Sequence, residues 1–222
     1  MTDRRKPELF VSLWSVIEGS HAVSMYASVA SRLHLDVMEQ HYCGSDLFLD
    51  FQPEKLLADV PLMLDAHLMI GDPVTWIQAC PYKHRLASVS VHLDSAAAVR
   101  ECARMLKHDN IEVGIVVRLE DDWNTVCDLL PICDQVVVMG TPIGVKGVGL
   151  QERALENIRR LVVIRRETGG RFRILADGGI RKDTLENLVD AGADALAIGS
   201  LICAAPQPPH EFWDRFEPGQ MS

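Results

Sequence analysis

Eight short apolar stretches of strand length alternate with stretches of helical spacing along this chain, and that rhythm restricts its fold more than any single motif. The expected strands are Leu9–Trp14, Leu33–Met38, Pro61–His67, Leu86–Val91, Glu112–Val117, Gln135–Met139, Arg173–Ala176 and Ala195–Ile198. Gln135–Met139, reading QVVVM, is a β-branched run that suits a buried strand and little else. The helical stretches between them are His21–Arg32, Pro53–Asp59, the VTWIQAC segment after Asp72 and Pro73, Ser95–His108, Trp123–Leu130, Leu150–Glu167 and Lys182–Ala191. Asp72 is the expected N-cap, with Pro73 at a first-turn position that tolerates proline; Gly169 and Gly192 sit where helices commonly stop. His41–Asp50, with Gly44 and Ser45, reads as a polar loop. Strands that alternate with helices pair in parallel through right-handed crossovers. Eight such units are expected to close into a single (β/α)8 TIM barrel, an α/β fold. An open doubly wound sheet is the main alternative.

Length and composition fit that expectation. The chain has 222 residues, near the compact end for such barrels, and 48% of them are apolar, enough for a sizeable core. Residues 1–222 are expected to form one barrel domain with a short proline-rich tail from about 206 to 222, either a surface arm or a closing helix. The 31 acidic and 22 basic residues leave a formal charge of -9, without a basic cluster beyond Arg4, Arg5 and Lys6. Nucleic acid is therefore an unfavoured partner. No stretch is long and apolar enough for a membrane span, and the charged start MTDRRKPELF does not lead into a secretory core. The 6 cysteines form no CxxC pair, which excludes a zinc ribbon or a thioredoxin-like motif and suits a reducing, cytoplasmic setting.

Chemistry-bearing residues gather at strand ends. In LHLDVM, side chains two apart share a face, so His34 and Asp36 point one way while Leu33, Leu35 and Val37 form an apolar opposite face. His67 closes the third expected strand, and Asp177 follows the seventh, just before Gly178 and Gly179. Any one of these is more often hydrogen-bonded structure than ligand. Together, two imidazoles and two carboxylates suffice to hold a divalent transition metal, and coordination is one of the few ways to offset buried charge. Asp65, two before His67, lies on the same face, either orienting an imidazole or capping a polar pocket.

Glycine-bearing loops follow the last two strands: Gly178-Gly179 after the seventh, Gly199-Ser200 after the eighth. At those places barrels commonly bind phosphate through unobstructed backbone N–H groups. The loop after strand six, Gly140 to Gly149 (GTPIGVKGVG), carries Lys146 and reads either as a mobile lid or as a long connection.

LHLDVMEQHY at 33–42, AHLMIGDP at 66–73, ADGGI at 176–180 and AIGSLI at 197–202 resemble the ribulose-phosphate 3-epimerase family, in order along the whole chain, and Ser12 resembles the serine on that family's first strand. The resemblance implies a metal-dependent barrel that inverts the carbon beside the carbonyl of a ketose phosphate, with D-ribulose 5-phosphate and D-xylulose 5-phosphate the default pair. His34, Asp36, His67 and Asp177 would be the metal ligands, and Asp36 and Asp177 also the two acid-base groups. Ser12, His67, Met38, Met69, Gly178, Gly179, Gly199 and Ser200 would contact the substrate, Met38 and Met69 as an apolar floor. The strand-six loop lacks the family's GFGGQ-like sequence, so Lys146 would supply a point charge to the phosphate, and Arg118 stands about where the family has asparagine. The expected cofactor is one divalent ion, zinc, iron, manganese or cobalt. The expected partners are a small sugar phosphate and further copies of the chain in a homo-oligomer. Two other classes remain: a non-catalytic sugar-phosphate-binding barrel, and a metal-dependent aldolase or lyase working through the same enediolate.

Overall fold

The computed structural model describes residues 5–144 and 147–218 of the 222. Its strands are β1 (Glu8–Ser12), β2 (Arg32–Met38), β3 (Leu64–Met69), β4 (Leu86–His92), β5 (Glu112–Val117), β6 (Gln135–Met139), β7 (Arg173–Asp177) and β8 (Ala195–Ile198). Each pairs in parallel with its neighbours in chain order. Pairing of β1 with β8, Glu8 opposite Ala195 and Val11 opposite Ile198, closes the sheet into a (β/α)8 TIM barrel. The helices are α1 (Leu13–Glu18), α2 (Gln40–Cys43), α3 (Pro53–Leu57), α4 (Pro73–Ala79), α5 (Ala96–His108), α6 (Trp123–Leu129), α7 (Glu152–Thr168), α8 (Leu185–Ala191), α9 (Ser200–Cys203) and α10 (Pro209–Asp214). No helix among the described residues is long and apolar enough to cross a membrane.

Alternation along each strand divides the side chains between two cores. Outward residues such as Leu33, Leu35 and Val37 join the large layer between sheet and helices. Inside the barrel, Phe10, Val116, Val137, Leu175 and Ala195 form a smaller apolar cluster on the β1, β5, β6, β7 and β8 side. Across from it β2, β3 and β4 turn inward a buried polar set that includes His34, Asp65, Ser88 and Ser90. The lower end is closed by ions: Arg32 binds Glu112 at 2.7 Å, and Arg173 reaches Glu112 at 3.0 Å and Glu8 at 3.2 Å. A register shift between Leu64 and Asp65 relative to β4 lets Leu86 pack outside while Ser88, Ser90 and His92 face inward.

Several elements differ from the sequence expectation. No helix spans His21–Arg32; α1 begins directly after Ser12, and only a single 3-10 turn forms at Val23–Tyr26. Three serines weaken the helical tendency of 21–32, and Ser20 adopts a left-handed conformation (φ 54°) that redirects the chain. Burial of Leu13 and Val16 against the barrel decides in favour of the earlier helix. The third strand starts at Leu64, beyond Pro61, whose missing N–H cannot join a ladder. His41–Asp50 is not wholly loop, since α2 forms and ends at Gly44 in a left-handed conformation. The tail forms α10, a closing helix whose Trp213, with Phe216 beyond it, is buried in the outer core.

Candidate active site

Register brings the strand residues together. Asp36 pairs with His67 across β2 and β3, Ser12 lies opposite His34 across β1 and β2, and Met139 lies opposite Asp177 across β6 and β7. His34 and His67 lie within their strands, not at the ends where the sequence rhythm placed them. Both are fully buried.

The four side chains converge. One donor atom from each of His34, Asp36, His67 and Asp177 lies within 4.8 Å of all the others. His34 Nε2 is 3.3 Å from Asp36 Oδ1 and 3.6 Å from Asp177 Oδ2; His67 Nδ1 is 3.5 Å and 3.3 Å from the same two oxygens. Bonds of about 2.0–2.2 Å to a tetrahedral ion would separate neighbouring ligands by roughly 3.4 Å, so the spacing suits a shared cation. His34 Nε2 and His67 Nδ1 are also buried without a hydrogen-bond partner. Two bare nitrogens facing two carboxylates fit a divalent metal better than a hydrogen-bonded cluster.

The outer nitrogens are held. His34 Nδ1 lies 2.7 Å from Asp65 Oδ2, so Asp65 orients an imidazole, the first of its two readings. Asp65 is itself fully buried, and its other oxygen accepts from Ser88 Oγ and, at 2.7 Å, from Gln135 Nε2. Those partners make a buried carboxylate tolerable. His67 Nε2 lies 3.0 Å from Nε2 of His92.

Electrostatics follow from the same contacts. Burial opposes charge on His34 and His67, but the carboxylates of Asp36 and Asp177 outweigh it and raise both imidazoles above their ordinary value. Burial raises Asp36 and Asp177, and His34 beside them overcomes this to hold both below the usual carboxylate range. In Asp36 the like charge of Asp177 acts against that lowering. Burial and neighbouring His67 push His92 well down.

A cavity of about 260 Å³ opens above this cluster, with Asp36 and Asp177 in its wall. Of the other residues expected to touch substrate, Ser12, Met69, Gly178, Gly179, Gly199 and Ser200 line it. His67 does not line the cavity. Met38 is buried beneath the strand-six loop, where a side chain on Gly144 would approach its Cε to 3.4 Å. Lys146 lies outside the described residues. Trp14, Ser15 and Glu18 also line the cavity, as does Thr141. The misplaced first helix hid the first three; Thr141, in the strand-six loop, carried no motif. Arg118 is away from the cavity, bound to Asp94 at 2.9 Å and Asp121 at 2.9 Å.

Comparison with known proteins identifies a family and a fold. Residues 12–203 match the sequence model of the Ribulose-phosphate 3 epimerase family. A ribulose-phosphate 3-epimerase of Mycobacterium tuberculosis is 31% identical over 182 residues, covering 81% of this chain and 78% of the relative. One from Aquifex aeolicus is 27% identical over 205 residues, covering 90% and 89%. Among solved structures, 3-hexulose-6-phosphate synthase from Salmonella typhimurium superposes with a TM-score of 0.67 at 18% identity, covering 92% of this chain and 94% of that one. KGPDC from Streptococcus mutans in complex with D-R5P gives 0.66 at 18%, covering 92% and 93%. At such identity these two structures speak for the barrel alone.

Proposed function

The chain belongs to the ribulose-phosphate 3-epimerase family, and from that premise we propose that it interconverts D-ribulose 5-phosphate and D-xylulose 5-phosphate by two-base proton transfer at Asp36 and Asp177. It is an isomerase of the epimerase class, acting on a pentose phosphate. The observation that carries the finer reading is two carboxylates from separate strands, β2 and β7, in the wall of one cavity that also contains the Gly178-Gly179 and Gly199-Ser200 loops.

Inverting a carbon beside a ketone requires removal of a proton from one face and return of one to the other. One aspartate enters ionised and takes the proton; the opposite aspartate carries the proton it gives back, leaving the two roles exchanged. The like charge of Asp177 pushes Asp36 toward holding a proton, against the net lowering that neighbouring His34 causes. His34, Asp36, His67 and Asp177 would hold one divalent ion. When bound, that ion supplies a Lewis acid for the negative oxygen of the enediolate, worth several kcal/mol. Backbone N–H groups of Gly178, Gly179, Gly199 and Ser200 would receive the phosphate. Gly178 and Gly179 have φ of 91° and 70°, a conformation that turns the loop without a side chain in the way. Ser12, 3.5 Å from Asp36 Oδ2, would orient that carboxylate, and Met69 with Met139 would limit water above the cluster.

Proton NMR of the metal-supplied protein with a panel of ketose phosphates in deuterated water tests this reading. The expected result is solvent exchange at carbon 3 with inversion, fastest for ribulose and xylulose 5-phosphates. Carbon–carbon cleavage would indicate a lyase, and shifts without exchange a binding protein; either result removes the assignment.

A further inference from the structure

The two buried imidazoles at the site are held by unlike partners: a carboxylate for His34, another imidazole for His67. His92, the last residue of β4, stacks on His67 with centroids 5.1 Å apart and planes 28° apart, and the two Nε2 atoms are separated by 3.0 Å. A contact between two imidazole nitrogens contains one hydrogen, so one ring donates and the other accepts. His67 Nδ1 faces Asp36 and Asp177 at 3.5 and 3.3 Å and has no hydrogen-bond partner. If Nδ1 is to present a lone pair there, the ring hydrogen belongs on Nε2, and His92 must accept it.

We propose that His92 is a positioning residue that fixes His67 in its Nε2–H tautomer and so keeps Nδ1 available to a divalent cation. His92 is 6% exposed and does not line the cavity, so its effect passes through His67. The rim fixes it in turn. The Tyr42 ring packs against His92 at 5.5 Å, the Tyr42 hydroxyl donates to Asp94, and Arg118 binds Asp94 at 2.9 Å. His92's own hydrogen then sits on Nδ1, which is buried without a hydrogen-bond partner. Because Asp65 is anionic whereas His92 is a neutral acceptor, His34 is the stronger donor of the pair and His67 the one that depends on orientation.

This inference rests on the reading of the cluster as a metal site, so the test includes a measurement made without metal. Long-range ¹H–¹⁵N NMR of the metal-free protein at alkaline pH, where imidazoles are neutral, reports the His67 tautomer. The parent is expected to show the hydrogen on Nε2; a hydrogen on Nδ1 overturns the proposal without recourse to any variant. His92→Phe keeps a stacking ring but no acceptor, whereas His92→Gln restores an acceptor. The Phe variant is expected to lose the tautomer preference and to bind Zn²⁺, measured by chelator competition, about 10–100-fold more weakly, with the Gln variant recovering most of the loss. Unchanged tautomer and unchanged zinc affinity in His92→Phe would overturn it. If the parent binds no zinc while its His67 tautomer still depends on His92, the metal reading fails and the tautomer assignment stands.

Discussion

Asp36 and Asp177 share a charge and a cavity but stand on strands that are not neighbours in the barrel, which gives the proposed chemistry its two faces. Asparagine at either position keeps an oxygen of similar size but cannot carry a proton. Asp36→Asn and Asp177→Asn are each expected to lose nearly all epimerisation while keeping one working base. Each variant should then exchange a solvent deuteron into one epimer only, the favoured epimer differing between them; the same epimer from both, seen by NMR, would refute the two-base assignment. A second expectation concerns pH. His34 and His67 are raised above 6.5 in the metal-free protein, and a cation must displace their protons. Apparent zinc affinity should therefore climb as pH rises through and beyond 6.5, and a flat profile in competition titrations would exclude these imidazoles as ligands. Metal-free stability has the opposite sign on that side. The raised imidazoles stabilise the fold below 6.5, an effect lost as pH rises through their folded values, while the lowered aspartates stabilise it above 3.8, an effect lost on acidification.

Three strands were legible from short apolar runs, β5 and β6 rich in β-branched residues and β8 reading ALAI: all three begin and end where their residues indicate. So was the start of α4, where Asp72 accepts from Thr75 N at 3.0 Å and Pro73 follows. The first helix was not, because its position depends on what Leu13 and Val16 meet in the barrel, and α1 has no side-chain cap to announce it. The loop after β7 makes the element-scale prediction. A Cβ on Gly179 would come within 2.7 Å of Leu150 N and 2.8 Å of its Cα, at a φ of 70°. Gly179→Ala is expected to destabilise the protein by about 1–3 kcal/mol and to weaken phosphorylated ligands more than unphosphorylated analogues. Urea melts and ligand titrations would show it; wild-type values in both would mean that the loop can yield.

For the whole molecule, a cation held by His34, Asp36, His67 and Asp177 would tie β2, β3 and β7 together and stabilise the folded state by mass action. At a free metal concentration one hundred times the Kd this amounts to about 2.7 kcal/mol, or roughly 5–10 °C in Tm for a chain of this size. Calorimetry with and without Zn²⁺ or Mn²⁺ checks it, and chelator should reverse the gain; no shift with any divalent ion would argue against the site. The sequence by itself determined a parallel sheet covered by helices, because apolar strands alternating with helices must bury both faces of the sheet, and eight units pointed to the barrel that the β1–β8 pairing closes. It also determined that His34 and Asp36 share a face, a consequence of the two-residue period of a strand. Only the tertiary structure decided which nitrogen each imidazole turns inward and what holds the other. His92 lies 25 residues from His67 and reaches it through the β3–β4 register and its shift beside Leu64, a relation set by packing across strands and absent from either segment alone.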